Sequence, residues 1–201
     1  MKIIGITGGV GAGKSTVLSF LDTLPGVRTV QADRTGHLVM EPGTEAYDKI
    51  REHFGERITG ADGRIDRQLM GSLVFSDKEE LNWLNRVIHP AVKDFIRREI
   101  QLEEEKGECR FFFIEAALLI EDHYDEICDE FWYIYTEERL RRERLRQSRG
   151  YSDEKTDAIL SNQKPDSVFR KYCQEVVDNG SDEEKTLLQV RRLLEERGYI
   201  F

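Results

Sequence analysis

The chain is poor in the residues that build crosslinked or metal-stapled proteins. Its 201 residues contain three cysteines, Cys109, Cys128 and Cys173, far apart, odd in number and without a C-x-x-C pair. That excludes a disulfide framework and points to reduced thiols in a cytoplasmic protein. The four histidines, His37, His53, His89 and His123, never fall at metal-ligand spacing, which argues against a zinc site. No apolar run approaches membrane-spanning length, so no membrane association is expected. The short apolar stretch at the start runs straight into a glycine-rich loop, unlike a secretory leader. Positive charge is also in deficit: the formal net charge is -9, a poor basis for non-specific binding to nucleic acid or anionic lipid. Internal repeats and low-complexity segments are missing. At this length and with 39% hydrophobic residues, the chain supports one sizeable core with small insertions.

Glycine, in contrast, is concentrated at one place. The stretch KIIGITGGVGAGKSTVLSFL runs from a strand-like apolar segment through Gly8-Gly9-Val10-Gly11-Ala12-Gly13-Lys14-Ser15 into an apolar helical pattern. It fits G-x-x-x-x-G-K-[ST] without exception. Glycines allow successive backbone N–H groups to converge, and the helix N-terminus adds its dipole, so the loop forms a cradle for phosphates. Lys14 is placed to reach the outer phosphates, the Ser15 hydroxyl to meet Mg²⁺, and Thr16 to contact the α-phosphate. The chain is therefore expected to bind a nucleoside triphosphate.

Strand patterns at Lys2–Thr7, Val27–Ala32, Arg110–Ala116, Phe131–Tyr135 and Glu175–Asp178 alternate with amphipathic segments. This rhythm predicts an α/β fold with a mostly parallel sheet flanked by helices. Ser76-x-x-Glu79 and Ser181-x-x-Glu184 match the capping box, and Pro90 is expected to open a new helix after a break near His89. Residues 33–109 are far more than one crossover needs, which predicts a helical insertion. A second excess follows Tyr135. Both insertions leave the sheet at strand carboxyl ends, the side on which ligands bind in such folds.

Three further features carry chemistry. Asp33 ends the second strand pattern, where a carboxylate can orient an acceptor hydroxyl and take its proton; it can equally cap the next helix. Glu115 closes the run FFFIE, and an acid there is costly to bury alone: it is either a metal-side acid of the phosphate site or half of a structural ion pair. Between Arg139 and Arg149 stand six arginines in an otherwise acidic chain. Thr136 is expected to cap a helix here, with Arg139, Arg142, Arg146 and Arg149 on one broad face and Arg141 and Arg144 on another. Most are expected to be solvated and paired with Glu137, Glu138 and Glu143, and one to three to grip phosphate. Asp178-Asn179-Gly180, after the last strand, is either a plain turn or a loop beside the nucleotide base. His37 and His89 are either structural or ligand-binding.

These residues, taken together, resemble the dephospho-coenzyme A kinase family of the P-loop nucleotide-kinase group. The resemblance runs nearly end to end, through GITGGVGAGKST, Asp33 with His37 four residues on, EPGTEAYDKIREHFGERI, DGRIDRQLMGSLVFSD, LNWLNRVIHPAV and VVDNG. It implies a P-loop NTPase three-layer sandwich with a five-stranded parallel sheet. Residues 1–33, 107–136 and 175–201 would form the nucleotide-binding core, 34–106 a helical insertion for the coenzyme A precursor, and 137–174 a helical lid. It also implies ATP as co-substrate, Mg²⁺, and phosphorylation of the ribose 3′-hydroxyl of dephospho-coenzyme A by a monomer or weak homo-oligomer. The implied catalytic residues are Asp33, Lys14 and Arg144. Gly8 to Thr16, Arg144 and Asn179 would hold ATP, and Asp33, His37, Asn85 and His89 the acceptor. Ser15, with Asp33 or Glu115, would hold the metal. The sequence departs from the family pattern at Ala117, where proline is usual, at Ser148-Arg149 in the lid, and at Ala12. Two other readings stay open, a related P-loop kinase with another small acceptor and a catalytically silent nucleotide-binding protein.

Overall fold

Alternation of β-branched and aromatic strands with amphipathic helices builds the sheet. In the computed structural model, which describes residues 1–201, the five strands are β1 (Lys2–Thr7), β2 (Val27–Gln31), β3 (Phe111–Glu115), β4 (Glu130–Tyr135) and β5 (Glu175–Asp178). Their order is β2-β3-β1-β4-β5, with β1 in the middle and parallel to both β3 and β4. β5 is parallel to β4. The near-continuous apolar runs of β3 and β4 are what a parallel sheet covered on both faces requires. Helices α1 (Lys14–Leu21) and α2 (Ala32–Leu38) follow the first two strands, and α3 (Glu45–Phe54), α4 (Arg67–Ser76) and α5 (Lys78–Lys106) complete the long excursion. Then come α6 (Glu138–Arg149), α7 (Asp153–Ser161) and α8 (Asp166–Tyr172), and finally α9 (Glu183–Glu196).

The chain divides into two compact units, Met1–Thr29 with Gly107–Phe201, and Val30–Lys106. In the first unit, Ile4, Ile6, Phe113, Trp132 and Ile134 from one sheet face pack with Val17, Leu18 and Leu21 of α1 and Val190, Leu193 and Leu194 of α9. On the opposite face Tyr133 stacks on Phe169 of α8, their rings 4.8 Å apart. Gly5 lies under Phe131; a Cβ there would come within 2.4 Å of its ring. In the second unit, Met40, Ile50, Phe54, Ile58, Met70, Val74 and Leu84 form a separate core. Gly36 of α2 packs on Ile88 and Val92 of α5, each 4.0 Å from where its Cβ would stand.

Several expected boundaries move. Pro90 does not open a helix: α5 runs through it for 29 residues. Losing one i to i−4 hydrogen bond is tolerated because Leu84, Val92, Ile96 and Ile100 bury a continuous stripe along the helix. Neither serine capping box forms. Ser76 is the last residue of α4, and Asp77 instead accepts from the Glu79 and Glu80 amides at 2.9 and 3.2 Å. At α9 the cap is Asp182, which accepts from the Lys185 amide at 2.9 Å. In both cases an aspartate one residue on outcompetes serine, because an ionised acceptor makes the stronger bond at a helix N-terminus. Thr136 does not cap α6; Glu137 takes that position without a side-chain bond.

Candidate active site

The loop between β1 and α1 is shaped by its glycines at two positions in particular. Gly11 and Gly13 both have φ of 82°, the left-handed region. Gly13 is the N-cap of α1 and offers no side chain to its amides, which leaves the helix N-terminus to an anion. A Cβ on Gly13 would meet the Asn179 amide nitrogen at 2.1 Å. Lys14 Nζ donates to the Gly8 carbonyl at 2.8 Å and lies 3.5 Å from Glu115 Oε1. Glu115 is only 8% exposed, at the end of β3 and in register with Ile6 of β1. Its ion pair with Lys14 is the structural partner that a buried acid needs. Ser15 is exposed at the end of the loop.

Three elements grip the loop from outside. Thr136, at the end of β4, places Oγ1 within hydrogen-bonding distance of the Ala12 carbonyl (3.0 Å) and the Asn179 carbonyl (3.1 Å). Asn179, just after β5, donates from Nδ2 to the same Ala12 carbonyl at 2.7 Å and accepts from Thr186 Oγ1 at 2.8 Å. Arg144 of α6 donates to Thr136 Oγ1 at 3.3 Å and to the Asn179 carbonyl at 2.8 Å. Asn179 and Arg144 thus reach the nucleotide loop through its supports. Arg141, one turn earlier on α6, donates from Nε to the Val10 carbonyl at 3.0 Å and from Nη2 to Gln163, and its guanidinium lies against Gly9. Burial holds its pKa below the usual arginine range.

The split between arginine faces follows the helical wheel. Arg141 and Arg144 turn inward. Arg142 pairs with Glu138 and Asp157, and Arg146 with Asp153. Sequence reasoning missed Arg141, Thr136, Thr186 and Gln163 as parts of the site. For Arg141 the signal was present in its i, i+3 spacing from Arg144; for the threonines and Gln163 no local signal exists.

The second unit carries Asp33, His37, Asn85 and His89. Asp33 does not end a strand: β2 stops at Gln31 and Asp33 stands in the first turn of α2, exposed, where negative charge suits the helix dipole. Nor is it the cap, which is Gln31. His37 follows one turn later on α2 and borders a cavity of about 470 Å³ with Met40, Asp62 and Arg64. Asn85 and His89 are half-buried, one turn apart on α5. A larger cavity of about 590 Å³ lies between the end of α2, the start of α3 and the Arg86–Arg98 stretch of α5.

No group of three or more His, Cys, Asp or Glu side chains is placed to hold a metal ion. A hydroxyl (Ser15) and a carboxylate (Glu115) are hard oxygen donors, few in number. Mg²⁺ suits such a set, because it retains waters and takes its remaining ligands from phosphate. No helix is long and apolar enough to cross a membrane.

A central parallel strand that runs through G-G-V-G-A-G-K-S into a helix, within a five-stranded sheet of this order, defines a P-loop nucleotide kinase fold. The family model for dephospho-CoA kinase matches residues 2–184, and the chain belongs to that family. A dephospho-CoA kinase from Staphylococcus aureus is 34% identical over 99% of this chain and 95% of its own length. A Thermus thermophilus crystal structure is 30% identical, with a TM-score of 0.79 over 97% of both chains. The dephospho-CoA kinase from Campylobacter jejuni shares the fold with a TM-score of 0.72 at 23% identity, over 98% of this chain and 100% of that one.

Proposed function

We propose that the chain transfers the terminal phosphoryl group of ATP to the ribose 3′-hydroxyl of dephospho-CoA, giving CoA and ADP. The observation that carries this reading is the phosphate loop, with Lys14 held at its mouth between the Gly8 carbonyl and Glu115, in a chain of this family. The acceptor oxygen attacks the γ-phosphorus as the bond from phosphorus to the leaving ADP oxygen breaks. The acceptor proton passes to the carboxylate of Asp33. Lys14 exchanges the Gly8 carbonyl for the β- and γ-phosphate oxygens and offsets charge that builds there in the transition state. The amides of the Gly8–Ser15 loop, with Thr16, hold the remaining phosphate oxygens.

Mg²⁺, held by Ser15 with Asp33 or Glu115, would neutralise phosphate charge when bound. His37, Asn85 and His89 orient dephospho-CoA within the helical insertion 34–106, and residues 1–33, 107–136 and 175–201 form the nucleotide-binding core. Helices α6 to α8, residues 137–174, act as the lid, with Arg144 as its catalytic arginine. A monomer or weak homo-oligomer in the cytoplasm, bound to neither nucleic acid nor membrane, completes the reading.

The test is turnover with ATP, Mg²⁺ and dephospho-CoA, read as ADP and CoA together, beside a panel of other small acceptors. CoA formation that exceeds transfer to every other acceptor supports the reading. Phosphorylation of another acceptor in its place assigns the chain a different substrate, and nucleotide binding without any transfer makes it a silent binder.

A further inference from the structure

A trans peptide unit directs its C=O and N–H to opposite sides. The orientation of a loop amide can therefore be fixed by whatever holds the carbonyl of the same peptide. Two peptides of the phosphate loop are held in this way by groups that do not belong to the loop. The Ala12 carbonyl faces Thr136 Oγ1 at 3.0 Å and accepts from Asn179 Nδ2 at 2.7 Å. Its partner in the peptide is the Gly13 N–H. The Val10 carbonyl accepts from Arg141 Nε at 3.0 Å, and its partner is the Gly11 N–H. Both glycines sit at φ of 82°, where the backbone has no side chain to fix it.

These donors are themselves anchored. Thr136, Asn179 and Thr186 are at most 4% exposed. Thr186 of α9 holds the Asn179 side-chain oxygen at 2.8 Å, so the Asn179 amide is aimed at Ala12 in one flip state. Arg144 ties the same pair to α6, and Gln163 holds Arg141 from the far side. Buried groups satisfied in this way rotate little, because turning any of them leaves a polar atom without a partner.

We propose that Thr136, Asn179 and Arg141 are positioning residues for the phosphate loop. By holding the Ala12 and Val10 carbonyls outward, they keep the Gly13 and Gly11 amides directed to the phosphate side before nucleotide arrives. The inference rests on the reading that this loop binds a triphosphate, and it is independent of which acceptor the enzyme uses. It assigns Asn179 and Thr136 a task at the site without contact with the ligand. It also gives the two inward arginines different duties: Arg141 fixes a loop peptide directly, and Arg144 secures the residues that fix the other.

The test compares ATP and ADP affinity, by calorimetry on the full chain, for wild type, Thr136→Val, Thr136→Ser, Asn179→Leu and Arg141→Lys. Thr136→Val removes the hydroxyl at constant shape, and Thr136→Ser restores it. Thr136→Val and Asn179→Leu are expected to weaken ATP binding on the order of 10-fold to 100-fold, as loss of an orienting partner does. Thr136→Ser is expected to stay within about 3-fold of wild type, and Arg141→Lys, which keeps charge but loses the Nε donor, to fall on the order of 10-fold. In glycine-labelled protein, the Gly11 and Gly13 amide resonances are expected to shift strongly on ADP addition to wild type and weakly in Thr136→Val. Affinities of Thr136→Val and Asn179→Leu within about 2-fold of wild type overturn the proposal. So does a serine variant as weak as the valine one, which would assign the loss to packing. If Asn179→Leu does not fold, the valine and serine pair decides alone. If wild type binds no ATP, the triphosphate reading fails and the inference with it. If wild type binds ATP but leaves dephospho-CoA unphosphorylated, only the acceptor assignment fails.

Discussion

Lys14 and Glu115 form an ion pair at 3.5 Å, with the lysine shared by the Gly8 carbonyl at 2.8 Å. Both side chains are largely buried, so the pair holds the ammonium at the loop mouth with little freedom. A buried ion pair of this kind is a weak source of net stability but a strong constraint on geometry. Lys14→Ala is therefore expected to lower kcat by about 10²- to 10³-fold through lost charge stabilisation, with a smaller effect on melting temperature. Glu115→Gln is expected to reduce kcat as well while keeping nucleotide affinity closer to wild type. Steady-state kinetics beside thermal melts separate the two effects; a Lys14→Ala enzyme with near-normal kcat contradicts the role assigned to the lysine.

Pro90 sits inside α5 and is exposed. An interior proline costs a helix about 3 kcal/mol, part of which the fold has already absorbed by relaxation. Pro90→Ala is expected to raise stability by about 1–2 kcal/mol, seen as a higher urea midpoint at unchanged slope. A lower midpoint would show that the ring itself packs favourably in the cavity it borders.

Glu130 opens β4 and accepts from Trp132 Nε1 at 2.9 Å, with Lys2 Nζ at 3.0 Å and Arg197 also on its carboxylate. Burial pushes its pKa up, but the hydrogen bonds from Arg197, Lys2 and Trp132 outweigh burial and hold it below the usual carboxylate value of 4.5. A depressed folded pKa contributes stability that is fully present above pH 4.5 and is lost as pH falls through the lower folded value. Glu130→Gln is expected to cost about 3 kcal/mol at pH 7, because Arg197 and Lys2 lose their partner. The gap to wild type should narrow in denaturant titrations as pH falls below 4.5. A gap that stays constant across that range contradicts the assignment.

Burial pushes the thiols of Cys128 and Cys173 up to about 12, with the Asp129 and Asp125 charges adding to the effect at Cys128. Both stay protonated at pH 8 and are shielded from reagent. Cys109 is half-buried. A maleimide at pH 8 is expected to label one thiol quickly in the native protein and three in guanidinium. Rapid modification of Cys128 or Cys173 in the folded chain would contradict their placement.

The sheet was legible in the sequence because its signals are local and strong. All five strands fall where apolar and aromatic runs put them, with ends differing by at most one residue, and β1 and β5 match at both ends. The phosphate loop was legible from its G-x-x-x-x-G-K-[ST] pattern between a strand-like and a helical segment. What the sequence hid depends on competition or on distance. Asp77 and Asp182 displaced Ser76 and Ser181 as caps, a choice between neighbours that a motif cannot make. The continuous α5 through Pro90 depends on a buried stripe whose packing partners come from α2, α3 and α4. Thr136 and Asn179 are 43 residues apart in sequence, and each meets Ala12 from more than 120 residues away. No pattern on either segment announces that contact. It follows from the sheet order, which sets β4 beside β1 and β5 beside β4.

The proposed proton acceptor, Asp33, gives the most direct measurement of the central claim. Asp33→Asn keeps the size and shape of the side chain in the first turn of α2 and removes its basicity. ATP affinity and turnover of dephospho-CoA are measured on the same preparation. The account predicts ATP binding within about 3-fold of wild type and kcat lower by about 10²- to 10⁴-fold. An Asp33→Asn enzyme that binds ATP normally and forms CoA at the wild-type rate would contradict it.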